Sequence, residues 1–310
     1  MFCNVPSEAV IECRDVPHSI YELPLYLHEE KLDDIVCDRL GLPKKKPDLK
    51  AWQEFVWHVI DPSHETKIAV VGKYIELQDA YKSIAEAFIH SGAANQCKVK
   101  VFWIQSEEID SSNAKEKLKQ FDGILVAPGF GDRGIEGKIE AVKYARTEKV
   151  PFFGICLGMQ CAVIEYARSV LNLADAHTTE INPNTSNPVI DLMDHQKKVT
   201  DKGGTMRLGA YSCQVEEDSK AFECYQKVNI KERHRHRYEF NNDYKEKLES
   251  AGMKTTGLNP ESNLVEIIEV AEHPWFVGVQ FHPEYKSTVA SPQPLFVGFI
   301  AAAITYSKQH

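Results

Sequence analysis

From Thr66 onward, short apolar runs alternate with segments of helical periodicity, and this alternation strongly limits the possible folds. "KIAVVGKY", "KVKVFWI", "FDGILVAPG" and "VPFFGI" have the length and composition of buried strands. Helical patterns follow them in turn: "DAYKSIAEAFIHSG", "NAKEKLKQF", "GIEGKIEAVKYARTEK" and "LGMQCAVIEYARSVL", with "PLFVGFIAAAITYSK" as the last. This order predicts an α/β fold, with a mainly parallel open sheet and helices on both faces. "GAYSCQV", "YEFNN", "LVEIIEV" and "WFVGVQF" predict further strands, some of them antiparallel.

The first 65 residues have a different character. "SIYELPLYLHEEKLDDIVCDRLGL" has the periodicity of an amphipathic helix, and "GLPKKKPDLK" contains the glycine, prolines and lysines of a helix end and a linker. "AWQEFVWHVIDP" predicts a connecting helix that stops at Asp61-Pro62. We therefore divide the chain into a helical remnant of another domain (1–45), a linker (46–65) and the α/β domain (66–310).

Composition excludes several classes of function. The net charge of -9 over 310 residues argues against a nucleic-acid-binding surface. No apolar run approaches the roughly 20 residues that span a bilayer, and the first residues lack the pattern of a signal peptide. The eight cysteines include no CxxC pair, so we expect no metal and reduced thiols in a cytoplasmic protein.

The segment Gly154-Ile155-Cys156-Leu157-Gly158 lies where a predicted strand meets a predicted helix. The two glycines allow a tight strand-to-helix turn that would hold Cys156 as a nucleophile in an unfavourable backbone conformation. The helix N-terminus would favour a thiolate, and the Leu157 amide would point toward a developing oxyanion. The alternative is a structural turn with a small buried cysteine. Cys161, five residues on, is expected in the core.

A thiol nucleophile needs a base and a group that orients the base. "VGVQFHPEY" places His282 and Glu284 at the end of a predicted strand, where alternate residues of an extended chain share a face. The Glu284 carboxylate could then hold the imidazole in the required tautomer. A hydrogen-bonded surface trio is the alternative.

"LVAPGFGDRG" has glycines at 129, 131 and 134 that let backbone amides approach a ligand. We expect it to supply a second oxyanion donor from a neighbouring strand end. The alternative, a phosphate-binding loop, fits poorly because the segment is not GxGxxG and the chain contains no GxxxxGK[ST].

The motifs PGFG, GICLGMQ and QFHPE, in this order, resemble those of the class I glutamine amidotransferases. The resemblance covers residues 66–310 and implies a flavodoxin-like fold that hydrolyses glutamine to glutamate and ammonia. It identifies Cys156 as the nucleophile, His282 as the base and Glu284 as the orienting carboxylate. Gly129 and Leu157 would form the oxyanion site.

Longer segments resemble the CTP synthase family: "GGTMRLGA", "ERHRHRYEFNN", "DAHTTEI", "VGKYIELQDAYKSIAEAF" and "CNVPSEAVIECRDVPHSIYELP". This implies that the ammonia serves ATP-dependent amination of UTP to CTP. Residues 1–45 would be the end of the synthetase domain, the partner that uses ATP and Mg²⁺ and whose P-loop part lies outside this sequence. The intact enzyme would be a homotetramer or filament with GTP as allosteric effector.

The resemblance also implies contacts with L-glutamine. Its predicted contacts are Gly129, Phe130, Leu157, Gly158, Met159 and Gln160, with Glu180 at the α-ammonium group and Arg237 near the α-carboxylate. "ERHRHRYE" has the alternative of a solvated basic strand with outward charges. "TDKGGTMRLG" resembles a glycine-rich lid, with a plain surface loop as the alternative.

Two rival functions remain open at the level of sequence. The chain could be a catalytically silent regulatory or assembly module, although such a module has no need for an intact triad. It could also be a γ-glutamyl peptidase that uses the same three residues. Glutamate release from free glutamine, compared with γ-glutamyl peptides, distinguishes these possibilities.

Overall fold

The computed structural model describes residues 5–73, 75, 77–192 and 206–309. Its α-helices are α1 (Leu23–Glu29), α2 (Leu32–Leu40), α3 (Lys50–Ile60), α4 (Lys82–Ala94), α5 (Ala114–Leu118), α6 (Ile135–Thr147), α7 (Leu157–Ser169), α8 (Lys220–Tyr225), α9 (Lys245–Ser250) and α10 (Pro294–Ser307). Its strands are β1 (His64–Gly72), β2 (Cys97–Gln105), β3 (Gly123–Val126), β4 (Phe152–Ile155), β5 (His177–Thr178), β6 (Pro188–Asp191), β7 (Arg207–Val215), β8 (Asn229–His236), β9 (Glu239–Phe240), β10 (Met253–Leu258), β11 (Val265–Val270) and β12 (Phe276–Val279). Short 3-10 helices lie at Ser7–Ala9, Ile20–Glu22, Gln78–Tyr81, Ser106–Glu108, Asn242–Tyr244 and Pro283–Lys286.

The main sheet has nine strands in the order β2-β1-β3-β4-β12-β11-β10-β7-β8. The first five are mutually parallel, and the last four add antiparallel pairs, as the sequence predicts. A second small sheet contains β5, β6 and β9. The adjacent carboxyl ends of β3, β4 and β12 therefore form one edge, where open α/β sheets bind their ligands.

Helices cover both faces of the main sheet, which confirms the predicted α/β architecture. On one face, side chains of α6 and α7 pack on alternate residues of the central strands, such as Val71 and Val126. On the other face, α4 and α10 pack on the intervening residues, such as Val70 and Leu125. Burial on both faces explains why these strands are continuous apolar runs.

The N-terminal extension (residues 5–63) differs in part from the prediction. The single amphipathic helix expected over "SIYELPLYLHEEKLDDIVCDRLGL" is two helices, α1 and α2, because Lys31 between them has a left-handed backbone with φ 63°. Neither helix contains a buried residue. The predicted connecting helix is confirmed as α3, which buries Phe55 and Val56 against Ala93 of α4.

Residues 200–205 of the predicted lid, "TDKGGTMRLG" (200–209), lie outside the described residues. Its last residues, Arg207 to Gly209, are not loop but the start of β7, because they pair with β8. In β8 the arginines Arg233 and Arg235 are exposed, as a solvated basic strand requires. The histidines His234 and His236 that alternate with them are buried.

Two features are absent from the described parts of the chain. No helix there is long and apolar enough to cross a membrane. No group of three histidine, cysteine or acidic side chains there could hold a metal ion.

Candidate active site

Cys156 occupies a strained elbow between β4 and α7. Its backbone has φ 52° and ψ -103°, a conformation that side-chain-bearing residues rarely adopt. A Cβ atom on Gly154 would lie 2.8 Å from the backbone of Gly158, and one on Gly158 would lie 2.1 Å from the Val126 carbonyl oxygen. Both glycines are therefore required by close packing, as the sequence predicts.

His282 and Glu284 follow β12 on the adjacent strand end. The expectation that they alternate along an extended chain is wrong, because Glu284 lies in the 3-10 helix Pro283–Lys286, which begins at a proline. The pair still forms: His282 Nδ1 lies 2.8 Å from Glu284 Oε1, and both side chains are buried. The His282 amide also donates to the Arg233 carbonyl oxygen at 2.7 Å, which ties this turn to β8.

The electrostatics of His282 depend on its two neighbours. Burial alone would lower the pKa of the imidazole, but the Cys156 sulfur and the Glu284 carboxylate raise it well above its ordinary value. The second ring nitrogen, Nε2, is buried and makes no hydrogen bond to any described residue. With Nδ1 held by Glu284, Nε2 is the nitrogen left to exchange a proton with Cys156.

A cleft opens beside Cys156, which is one of its lining residues. It brings together five of the residues that the sequence predicts for glutamine binding: Gly129, Phe130, Gln160, Glu180 and Arg237. Glu180 lies just beyond β5 and accepts a hydrogen bond of 3.3 Å from the Gly131 amide. The PGFG loop (residues 128–131) and Glu180 are therefore fixed to each other at the cleft.

Three predicted contact residues are not among the residues that line the cleft. Leu157 and Met159 are buried in the core under α7, and Gly158 packs against β3. Leu157 is the first residue of α7, so its amide belongs to the end of the helix that lacks intrahelical partners. Its oxyanion role, like that of Gly129, stays a prediction.

Sequence reasoning did not assign a role to Gln280, Tyr238 or Gln160's contacts with them. The Gln280 side-chain amide, through Nε2, donates to Cys156 Sγ at 3.7 Å. The Gln160 side-chain amide, through Nε2, donates to the Gln280 side-chain oxygen at 3.2 Å and to the Tyr238 backbone carbonyl at 3.0 Å. Gln280 is the first residue of the QFHPE motif, and the motif itself was the signal that could have identified it.

Met206, His236 and Tyr238 also line the cleft and were not predicted to do so. His236 Nδ1 lies 3.2 Å from the Tyr238 carbonyl oxygen, and its Nε2 lies 2.9 Å from His234 Nδ1. Burial lowers the pKa of both histidines. Neutral imidazoles can therefore form this wall of the cleft without adding charge.

Two lysines donate hydrogen bonds to backbone carbonyl groups of the PGFG loop and of the residue before it. Lys73 donates to the carbonyl oxygens of Phe130 and Gly131 at 2.5 and 2.7 Å. Lys138 is fully buried and donates to the Ala127 carbonyl at 2.6 Å, and burial lowers its pKa to about 8. Lys138 lies on the apolar face of its helix, which is the sequence signal that could have marked it. These contacts fix the backbone of the PGFG loop and of Ala127, the residue that precedes it.

Similarity to known proteins shows the family of this chain. Residues 76–302 match the model of the family "Glutamine amidotransferase class-I", and the chain belongs to that family. Among its members, this chain is similar to CTP synthases. The CTP synthase of Flavobacterium psychrophilum is 58% identical over 310 residues, which are 100% of this chain and 58% of that protein. That of Clostridium beijerinckii is 54% identical over 308 residues, which are 99% of this chain and 57% of that protein.

A solved structure gives the same assignment. The glutaminase domain of Trypanosoma brucei CTPS, with bound acivicin, is 37% identical and has a TM-score of 0.73. The match covers 77% of this chain and 94% of that one. The chain thus spans a little over half of the curated relatives and nearly all of a solved glutaminase domain.

Proposed function

We propose that this chain hydrolyses L-glutamine to glutamate and ammonia through a thioester on Cys156. The observation that carries the proposal is the elbow: a strained cysteine borders a cleft and lies beside a buried His282–Glu284 pair. Strain of this kind persists only where surrounding structure enforces it, and it is concentrated at functional sites.

The cleft offers complementary groups for an α-amino acid amide. Glu180 supplies a carboxylate for the α-ammonium group, and Arg237, on the same cleft, lies where it can act near the α-carboxylate. Phe130 and Gln160 line the same cleft as Cys156. Leu157, Gly158 and Met159 would act only through their backbone, because their side-chain positions are packed in the core.

In the proposed reaction, the Cys156 thiolate adds to the carboxamide carbon, and the Leu157 and Gly129 amides bind the oxyanion. The carbon–nitrogen bond then breaks, and the leaving ammonia takes a proton from His282 Nε2. Water attacks the thioester and gives its proton to His282. The carbon–sulfur bond breaks, which releases glutamate and restores the thiolate and imidazolium.

The wider role follows from the similarity to CTP synthases. We propose that the ammonia supplies an ATP- and Mg²⁺-dependent amination of UTP to CTP by a synthetase domain of the same polypeptide. GTP regulation and assembly as a tetramer or filament would belong to that longer protein. The seven described cysteines are all unpaired, which suits a reducing cytoplasmic compartment.

Glutamate release from glutamine tests the proposal. Replacement of the thiol in Cys156→Ala should remove activity while the fold is kept, and Cys156→Ser should do the same because the hydroxyl is a far poorer nucleophile at neutral pH. Cys161 is the matched control: it is a fully buried cysteine of α7, and burial raises its pKa to about 11. Cys161→Ala should keep glutaminase activity. Release that survives in Cys156→Ala, or hydrolysis of γ-glutamyl peptides in preference to glutamine, would contradict the proposal.

A further inference from the structure

A chain of hydrogen bonds joins the N-terminal extension to the turn that carries Glu284. It begins at Tyr21, whose backbone carbonyl accepts from the Trp52 indole at 2.8 Å and whose ring packs edge-on against Phe55 at 5.0 Å. The Tyr21 hydroxyl reaches α4, where it donates to the Glu86 carboxylate and lies 2.9 Å from His90 Nε2.

His90 continues the chain on its other side. Its Nδ1 lies 3.0 Å from Ser287 Oγ, and Ser287 directly follows the 3-10 helix Pro283–Lys286. The Ser287 amide donates to the Glu284 carbonyl at 3.4 Å, and Ser287 Oγ accepts from the Gln293 amide at 3.3 Å. Ser287 thus anchors the end of the 3-10 helix Pro283–Lys286 to α4, through His90, and to the start of α10, through Gln293.

The hydrogen bonds from Tyr21 through His90 to Ser287 allow one consistent assignment of donors and acceptors. Although burial alone would raise the pKa of Glu86, hydrogen bonds from Lys82 and Tyr21 lower it, so Glu86 is ionised and only accepts. Because Tyr21 gives its one proton to Glu86, His90 Nε2 must donate to Tyr21. His90 Nδ1 must then accept from the Ser287 hydroxyl. Burial lowers the pKa of His90, which keeps the ring neutral, as this arrangement requires.

This series of hydrogen bonds matters to the triad of Cys156, His282 and Glu284 because few other contacts fix the Glu284 carboxylate. Its Oε1 contacts His282, but its Oε2 is buried without a hydrogen-bond partner in the described structure. The direction of the carboxylate therefore depends on one hydrogen bond and on the position of its backbone. A shift of the turn would weaken this hydrogen bond and the stacking of the Tyr285 ring on the imidazole, whose ring centroids are 5.3 Å apart.

We propose that Tyr21 and His90 are positioning residues, which hold the Glu284 turn through Ser287 and so keep the N-terminal extension coupled to the active site. This inference rests on the proposed glutaminase function. It assigns a task to the extension that its own small core does not explain.

A double-mutant cycle on the 310-residue chain tests the coupling. Tyr21→Phe keeps the ring and removes the hydroxyl that contacts His90, and Ser287→Ala removes the hydroxyl on the other side of His90. Each should lower kcat for glutamate release by roughly fivefold, the worth of a hydrogen bond, with less than a twofold change in KM. The double variant should be no slower than either single variant, because both interrupt the same chain.

A second measurement does not depend on glutaminase activity. The rate at which iodoacetamide alkylates Cys156, followed against pH, reports the thiolate that His282 stabilises. A weaker Glu284 contact makes the His282 imidazolium less stable, and the Cys156 thiolate then loses part of its stabilisation. The acid limb of the alkylation rate against pH should therefore move to higher pH by about 0.5 unit in both single variants. Ser287→Thr, which keeps the hydroxyl, should restore both the rate and the profile.

Tyr26→Phe is the matched control, because Tyr26 also hydrogen-bonds through its hydroxyl but within the extension, to Glu12 and Arg14. It should leave kcat and the alkylation profile unchanged. Additive losses in the double variant, unchanged profiles in Tyr21→Phe, or an equal effect of Tyr26→Phe would each overturn the proposal. If Cys156→Ala still released glutamate, the proposed function would fail, and the alkylation profile would still decide the coupling.

Discussion

At the scale of single residues, the site depends on how the Cys156 backbone is held in a conformation that costs about 1–3 kcal/mol. Its amide donates to the Val279 carbonyl at 2.7 Å, and its carbonyl accepts from the Gln160 amide at 3.2 Å. The cysteine is therefore tied on one side to β12, which leads to His282, and on the other to the first turn of α7. The same bonds that enforce the strain also set the distance between nucleophile and base.

Gly158 of the elbow and Gly129 of the PGFG loop differ sharply in their tolerance of a methyl group. Gly158→Ala should lower the free energy of unfolding by about 2 kcal/mol or more, because its Cβ would overlap the rigid Val126 carbonyl. Gly129→Ala should change it by only about 0.5 kcal/mol, since its nearest neighbour would be Leu157 Cδ2 at 3.5 Å. Urea unfolding measures both. Equal stability of the two variants would show that the elbow is not close-packed.

Glu284→Gln tests the electrostatic role of the triad carboxylate. The substitution keeps the size of the side chain but removes its charge, so the pKa of His282 should fall by about 1 unit or more. Glutamate release should fall about 100-fold because the imidazole is no longer oriented or stabilised as a cation. NMR titration of the His282 ring measures the pKa, with His273, a buried ring elsewhere, as internal reference. An unchanged His282 titration would contradict the role.

At the scale of elements, β8 buries ionisable side chains where a strand of this pattern would usually bury apolar ones. Its inward face carries Glu232, His234 and His236. Next to them, buried Arg207 of β7 contacts Glu239 at 3.2 Å and Glu266 at 2.8 Å. One guanidinium thus compensates two carboxylates behind the wall of the cleft.

Removal of that guanidinium should destabilise the fold strongly. Arg207→Leu leaves two buried carboxylates without their cation and should lower the free energy of unfolding by about 3–5 kcal/mol. Burial already raises the pKa of Glu239 to about 8, and loss of Arg207 raises it further. When a carboxyl group has a raised pKa in the folded state, the protein loses free energy of unfolding as pH rises from the group's unfolded-state pKa to its folded-state pKa. Both proteins lose this stability in parallel below that value, so the deficit should grow between about pH 7 and about pH 9, where the Glu239 carboxyl ionises in the wild type and stays protonated in the variant.

The exposed Arg233 of β8 provides the comparison for this effect. Arg233→Leu should change the free energy of unfolding by only about 0.5 kcal/mol at either pH. Urea unfolding at both pH values measures the two variants. A deficit in Arg207→Leu that is independent of pH would mean that the carboxylates do not depend on this guanidinium.

At the scale of the whole molecule, the parts that the sequence predicts well are local. The elbow is predictable because its glycines and cysteine are neighbours in the chain, and the sheet because its apolar runs are long. Lys73 and Gln280 were not predicted because each contacts residues distant in sequence: Lys73 follows β1 and binds the PGFG loop after β3, and Gln280 follows β12 and binds Cys156 after β4. The break at Lys31 was missed because the apolar periodicity continues through it. The 3-10 turn at Pro283 was missed because an isolated X-Pro reads as extended chain.

The division between the extension and the α/β domain remains a prediction, and hydrogen exchange can test it. The central strands lie between two large apolar clusters. The cluster by which α3 docks on α4 is much smaller: Phe55, Val56 and Ala93 are buried in it, and residues such as Tyr21 and Trp52 are partly buried against them. Amides of α1 to α3 should therefore exchange through local openings of lower free energy than those of β1, β3 and β4.

Phe55→Ala sharpens this test, since it removes the largest buried side chain of the docking cluster. It should lower the opening free energy of α3 by about 3 kcal/mol and leave the exchange of β3 and β4 unchanged. Trp57→Ala on the same helix is the control, because Trp57 is 60% exposed and should have little effect. Mass spectrometry of exchanged peptides resolves the segments. If Phe55→Ala accelerated exchange in the sheet as much as in α3, the two parts would unfold as one unit, and the predicted boundary at residue 65 would be wrong.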